Sequence, residues 1–440
     1  MKLPFLKGFD EQALNKYLKN TGWLMFGKVL GLAASLVVTR YLGPALFGDL
    51  SFALALVTIT GAVGALGLDT FIIREIINEP NKRDEILGTA LGLRLITNGA
   101  LVPITIGVYL IFHYFSATPG DNLTLFVVLL SFISVFKSFN VIDAYFQSQV
   151  QSKYVVHVQN SCLFITTGLK FAVVLMGLPL VYLVLVLVFD ALILATGLII
   201  TYQNKGISIL NWTFNKARGI KLLQQSFPLI LSAVMVTVYM KIDQVMLKQQ
   251  VGSVAVGIYG AAANLSEAWF FIPTAIISSV FPAIINARKT DLERYQKRLK
   301  NLYDLLVFIS LPVAIFISLF ANKIIHLIYD TKFEGAGEML AIHIWSGIFV
   351  FLGVASSQYL LAEGYTKISF YRTLTGAIIN ILLNLWLIPL YGGVGASIAT
   401  LIACITSTFY LLLVSKTRQQ GIMMLKSLFL VSAFQKIFKR

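Results

Sequence analysis

The chain is dominated by apolar stretches of about 20 residues or more, the length a helix needs to cross a hydrocarbon core of roughly 30 Å. Twelve are expected, beginning near Thr21, Asp49, Ile86, Asn122, Val155, Leu180, Phe227, Val254, Asn301, Met339, Phe370 and Val394. The expected fold is therefore an all-α membrane protein. Composition agrees, since 57% of the 440 residues are hydrophobic and 12% are charged, about half the usual charged share.

The basic residues orient the bundle. Twenty-six of the 35 Lys and Arg residues fall in the N-terminal segment, the even-numbered loops (Lys367 and Arg372 among them) and the C-terminal tail. The odd-numbered loops hold four, Arg40, Lys248, Lys323 and Lys332. Such asymmetry puts both termini in the cytoplasm. The net charge of +15 sits in short loops beside membrane helices, where it sets orientation and meets anionic lipid. No basic stripe with interleaved aromatics occurs, so no nucleic-acid partner is expected. Cys162 and Cys404 fall inside expected helices and read as small packing residues. The opening segment is polar and lacks a small-residue cleavage site, so the first helix is expected to direct insertion.

A polar stretch divides the chain into matching halves. Leu42-Gly43, Gly48 and Ala53 recur as Val251-Gly252, Gly257 and Ala262 at an offset of 209 residues, and Leu178-Pro179-Leu180 recurs as Ile388-Pro389-Leu390 at 210. Six helices per half enter the membrane in the same direction. The expectation is two six-helix lobes related by a pseudo-two-fold axis along the membrane normal, an arrangement found among secondary transporters. Its parts are an N-terminal segment (1–20), an N-lobe (21–202), a cytoplasmic linker (203–221), a C-lobe (222–415) and a basic tail (416–440). The tail from Gly421 to Arg440 mixes apolar and basic residues and is expected to lie on the bilayer surface. Loops are short, with no room for a soluble catalytic domain. No GxxxxGK[ST] phosphate loop is present, the four histidines show no ligand spacing, and neither a metal nor an organic cofactor is expected.

Charges within the spans point to a site. Lys28, Arg94, Lys137, Lys170 and Lys241, with Asp143, Asp190, Asp243 and Glu267, lie inside expected helices. A base at a helix centre costs about 2.5–3.5 kcal/mol on insertion scales, so such residues face a polar cavity or a partner. Helical spacing gives Lys28 the company of Thr21, Ser35 and Thr39, and Arg94 that of Asn98 and Thr105. Lys170 lies one turn from Thr166, and Glu267 aligns with Gly260, Asn264, Thr274 and Ser278. Lys28, Arg94, Lys170 and Glu267 are thus expected on a wet interior face. Lys137 and Asp143 fit a snorkelling role. Lys241 with Asp243 fits a structural ion pair as well as a site, and Asp190 fits a pairing with Lys170. The first half embeds four bases against two acids, the second one base against two. An anionic substrate is expected on the first lobe, and a coupling cation, H+ or Na+, on the acids of the second.

Three segments resemble a known family. Val37-Val38-Thr39-Arg40-Tyr41-Leu42-Gly43 with Gly48-Asp49 resembles the first loop of polysaccharide repeat-unit (O-antigen type) flippases, in the multidrug/oligosaccharidyl-lipid/polysaccharide exporter superfamily. Lys241-Ile242-Asp243-Gln244-Val245-Met246-Leu247 with Ala255-Val256-Gly257-Ile258-Tyr259 and Ala262 resembles the start of that family's second half. Asn384, Ile388-Pro389, Tyr391-Gly392, Gly395-Ala396 and Ala399-Thr400 resemble its last two helices. The resemblance implies a carrier, not an enzyme, in the bacterial inner membrane. It would turn over an undecaprenyl-pyrophosphate-linked oligosaccharide by alternating access, in a lipopolysaccharide-type pathway whose polymerase and chain-length proteins are expected partners beside membrane lipids. Lys28, Arg94, Lys170, Lys241, Asn98 and Thr166 would receive the head group. Trp269, Tyr239 or Trp345 would stack on sugars. A cation-coupled multidrug exporter of the same superfamily, the lipid II flippase and a membrane glycan polymerase or ligase are the alternatives. The first would favour an acidic cavity, the second usually has two further helices, and the last usually carries a large external catalytic loop.

Overall fold

The computed structural model describes residues 11–114 and 123–429, without the side chains of residues 11–26, 28, 278–279, 282 and 289–290. Among the described residues every regular element is a helix. The chain opens with α1 (Glu11–Gly64), whose 54 residues would extend about 80 Å if straight. That exceeds a bilayer core more than twofold, and the helix breaks at Gly43, where φ is 68° and Pro44 follows. Next come α2 (Asp69–Asn78), α3 (Arg83–Tyr114), α4 (Thr124–Lys137), α5 (Val141–Ser148), α6 (Lys153–Leu175) and α7 (Leu180–Gln203). The second half contains α8 (Lys216–Gln250), α9 (Ser253–Glu267), α10 (Phe271–Thr290), α11 (Leu292–Tyr329), α12 (Ala336–His343), α13 (Ser346–Ala362), α14 (Thr366–Phe409) and α15 (Arg418–Leu428). α14 breaks at Gly392, three residues after Pro389.

Nine stretches among the described residues are long and apolar enough to cross a membrane, which makes this a multi-pass membrane protein. Two of them, 50 and 47 residues long, contain the Gly43 and Gly392 breaks, and the α9–α10 pair is not among the nine. Chain reversals alternate between two ends of the bundle. At one end, called here the Gly43 end, Tyr41 donates to the Leu178 carbonyl at 3.0 Å, Gln249 to the Phe112 carbonyl at 3.3 Å, and Arg40 pairs with Asp330 at 3.3 Å. At the other, the linker end, the connection between α7 and α8 packs on the start of α3.

Apolar packing is shared at the Gly43 end and divided at the linker end. One core joins Leu50, Phe52, Val127 and Val184 to Val245, Val256, Tyr259, Ala314 and Ile388. A second gathers Ile72, Ile86, Val141, Val155 and Tyr202, with Leu222 and Ile230 of α8. A third gathers Ile284, Tyr303, Leu352, Tyr359 and Met424. Where the halves share a core, their backbones touch. A Cβ on Gly48 would collide with the Ser253 carbonyl, and one on Gly257 with the Pro44 carbonyl. Pro44 and Ser253, like Gly48 and Gly257, are 209 residues apart, so the contact maps onto itself under the repeat. Gly43 and Gly252, at the same offset, both take positive φ, which costs glycine no Cβ clash.

One expected boundary moves. Lys216, Arg218 and Lys221, expected in the linker, already belong to α8, whose first turn is capped by the Asn215 side chain accepting from the Arg218 N–H. Arg218 then ties α8 to the first half, pairing with Glu85 at 2.8 Å, Glu79 at 2.9 Å and Glu75 at 3.3 Å. The described part of the tail is helical. α15 docks on α11, with Ser427 donating to Asp304 at 2.7 Å and Tyr303 to Gln420 at 3.2 Å. Gln420 and Ser427 find hydrogen-bond partners there that lipid chains lack. Residues 430–440 lie outside the described residues, as do 1–10.

Alanine at Gly48 or Gly257 should cost about 1–3 kcal/mol by overpacking, lowering the thermal unfolding temperature of detergent-solubilised protein. Gly99→Ala, where a Cβ meets nothing within 4 Å, should leave it unchanged or raise it. Arg218, followed by Lys82, holds the Glu79 carboxyl down at about 2. A carboxylate with a depressed folded-state value stabilises above its ordinary range and loses that contribution as pH falls toward the folded value. The stability gap between wild type and Arg218→Met should thus be constant from pH 5 to 8 and narrow between about pH 4.5 and 2.

Candidate functional site

A cavity of about 230 Å³ lies between the two halves. That volume accommodates several water molecules, or an anionic group the size of a phosphate. α1 contributes Ser35, Ser51 and Thr58 with apolar neighbours, α6 contributes Lys170, α7 contributes Leu183 and Leu187, α8 contributes Lys241 and Gln244, and α9 contributes Asn264. Two ammonium groups and no carboxylate line it. The halves supply one lysine each, so the cavity exists as a cationic site only when they are assembled.

The second half carries a buried acid. Asp243 is fully buried and accepts from Tyr259 at 2.6 Å, from Asn384 at 2.5 Å and from the Thr400 hydroxyl. Asn380 accepts from Asn384 at 3.2 Å. Asn384 Oδ1 is a buried acceptor with no donor. A single carboxylate among neutral oxygens, one of them unsatisfied, suits a proton or a monovalent cation better than a highly charged metal.

The structure redistributes the residues singled out in the sequence. Lys170 and Lys241 meet at the cavity. Lys241 pairs with Glu267 at 2.8 Å, not with Asp243 two residues along, because a two-residue step on a helix points the side chains apart. Asp190 does not close on Lys170; it accepts from the buried Thr166 hydroxyl at 2.8 Å. Arg94 and Asn98 are buried in the first half, away from the cavity wall. Arg94 donates to Asp69 at 2.8 Å and to the Ala65 carbonyl at 3.0 Å, and Asn98 donates to Ser138 at 2.9 Å. The Arg94 contacts close the turn between α1 and α2, and the Asn98 contact ties α3 to the connection after α4, structural tasks that helical spacing alone could not separate from a wet face. The side chain of Lys28 lies outside the described residues, although Ser35, on the face expected for it, lines the cavity. The face expected to run from Glu267 to Thr274 is interrupted, because α9 stops at Glu267 and α10 starts at Phe271. Trp269 sits in that interruption, exposed beside Phe270 and away from the central cavity wall.

Arg372 was the larger omission. Expected in a loop, it is buried on α14, where it donates to Ser356 at 2.5 Å, Ser357 at 2.8 Å and the Gly353 carbonyl at 3.3 Å. Arg372, Gly376, Asn380 and Asn384 follow at steps of four, and all are buried. That spacing was the available signal, hidden by counting Arg372 with the basic loop although the expected span begins near Phe370.

Comparison with known proteins places the chain. Residues 17–288 match the family model described as polysaccharide biosynthesis protein, and residues 228–386 match the MatE model. The first match covers more than half of the sequence: the chain belongs to that family, within the superfamily its motifs resemble. An uncharacterized membrane protein of Methanocaldococcus jannaschii is 31% identical over 46% of this chain and 48% of its own length. A probable flippase, AglR of Haloferax volcanii, is 29% identical over 38% of this chain and 35% of its own. The chain thus spans about half the length, or less, of these curated relatives. The lipid II flippase MurJ, in an inward closed conformation, superposes with a TM-score of 0.71 at 16% identity, covering 96% of this chain and 93% of that one. An inward-facing multidrug resistance MATE transporter gives 0.70 at 14% identity, covering 93% and 96%. The fold is that of these transporters.

Asp243→Ala would leave the Asn384, Tyr259 and Thr400 donors without their acceptor in a dry site. The expected loss is about 2–4 kcal/mol, read as a lower thermal unfolding temperature. Asp243→Asn keeps the shape and should lose less; equal losses would mean the hydrogen-bond shell contributes nothing.

Proposed function

We propose that this protein is a flippase that carries an undecaprenyl-pyrophosphate-linked oligosaccharide across the bacterial inner membrane, with both termini in the cytoplasm. The observation that carries the reading is the cavity between the halves, lined by Lys170 and Lys241 and by no carboxylate. Such a wall favours a phosphate-bearing head group and disfavours a cationic drug, which the multidrug alternative requires. A relative named as a probable low-salt glycan biosynthesis flippase, 23% identical over 35% of this chain, points the same way.

Architecture supports transport by alternating access. Taking each glycine-broken helix as two spans and the α9–α10 pair as one raises the nine stretches to the expected twelve, six on each side of the linker. With the linker end in the cytoplasm, as the basic loops require, the shared core seals the cavity outward and the divided cores face inward. Rocking the lobes about the Gly48–Gly257 contact would exchange the two openings. The Asp243 cluster is the candidate site for the coupling cation, H+ or Na+, and its unsatisfied Asn384 oxygen supports that role. The lipid tail stays in the bilayer.

Lys170→Met should abolish surface-glycan production in a complementation assay in a strain lacking the gene, with membrane-inserted protein at wild-type level. Arg94→Met should instead lower the amount of folded protein, because Asp69 loses its buried partner. Full glycan production with Lys170→Met would end the assignment.

A further inference from the structure

The two ammonium groups of the cavity are not equivalent. Lys170 makes no ion pair among the described residues, whereas both oxygens of Glu267 hold Lys241 Nζ, at 2.8 and 3.2 Å. Glu267 lies one turn beyond Asn264, which lines the cavity, and its carboxylate meets the cavity through Lys241. It is also the last residue of α9. The chain turns through 268–270, with the Phe270 N–H donating to the Glu267 carbonyl at 2.9 Å, before α10 begins. A carboxylate standing at a helix discontinuity thus fastens that joint to α8.

We propose that Glu267 is an internal counter-ion, occupying on Lys241 the place of the substrate's anionic group. Substrate binding exchanges the two and frees the α9–α10 joint from α8. The proposal rests on reading the cavity as a phosphate site.

Three observations carry it. An ammonium in a membrane interior faces a polar cavity or a partner, and among the described residues Lys241, unlike Lys170, has both. The pair is exchangeable: its side chains are 24% and 21% exposed, so neither partner is fully desolvated, as a locked interior pair would be. Its neighbours are not. The Lys248–Asp49 pair at the Gly43 end is more deeply buried and shares Ser253 as a further partner. The Asp243 oxygens are already bound by Tyr259, Asn384 and Thr400. A diphosphate brings more charge and more acceptor oxygens than one carboxylate, and it can bridge to Lys170 as well. A neutral or cationic solute cannot make the exchange, so the ion pair also selects for anions.

The test is binding of farnesyl diphosphate, a soluble isoprenoid diphosphate, to full-length protein in nanodiscs by isothermal titration calorimetry. Glu267→Gln removes the competitor without changing shape and should tighten binding by about two- to fivefold. In a Lys241→Met background the same change should have no effect, because the partner is gone. Lys170→Met should weaken binding in both backgrounds. If Lys170→Met weakens binding while Glu267→Gln leaves it unchanged or weaker, the phosphate site stands and the counter-ion proposal falls. If neither lysine variant weakens binding, the phosphate-site reading itself falls. Should Glu267→Gln fail to give monodisperse protein, Glu267→Asp, with a shorter reach to Lys241, should show a smaller gain in the same direction; no gain overturns the exchange.

Discussion

Hydrocarbon offers no hydrogen bonds, and that single deficiency shapes this molecule. A backbone crossing it must satisfy itself as helix, and irregular segments survive only at the bundle's ends or where protein surrounds them. The breaks at Gly43, Gly252 and Gly392 occur at one end, where the chain reverses. The break between α9 and α10 is different. It follows one turn after Asn264 of the cavity wall, and Glu267 at its edge is tied to α8 through Lys241.

The same deficiency sorts the interior charges into three kinds. Arg94 and Lys241 have carboxylate partners, Asp69 and Glu267. Asp243 and Arg372 are ringed by neutral donors and acceptors, which can hold a charge without cancelling it. Lys170 alone of these opens onto the cavity with no ion pair among the described residues. The first kind is structural or exchangeable, the second suits a bound ion, and the third suits a ligand. On the proposed function, one lysine of the cavity is free of an ion pair among the described residues and the other is held by Glu267.

Glycine solves the opposite problem, bringing two halves together where nothing polar helps. Helices in lipid associate through close packing of small residues, and here Gly48 and Gly257 let two backbones meet across the repeat. Beyond that contact the cores separate, leaving the linker end joined chiefly through the start of α8, where Leu222 and Ile230 pack in the first half and Arg218 reaches three glutamates. A closed end and a divided end follow from where small residues are placed.

Much of this was legible in the order of residues. Apolar length gave the helices, the 209-residue offset anticipated the Gly48 and Gly257 contacts, and the expense of an embedded base drew attention to Lys170 and Lys241, which line one cavity. Those are local quantities, set by a single segment's transfer from water to lipid. Which charge meets which was not legible. Lys241 chose Glu267 over its near neighbour Asp243, Arg94 turned to a helix connection, and Arg372 vanished into a core, because pairing depends on which faces of separate helices come within about 3 Å. Sequence determined that this chain must be a bundle with costly charges inside it. Only the packing of the halves decided that two of those charges share a chamber, since a cavity belongs to the space between helices and to no helix alone.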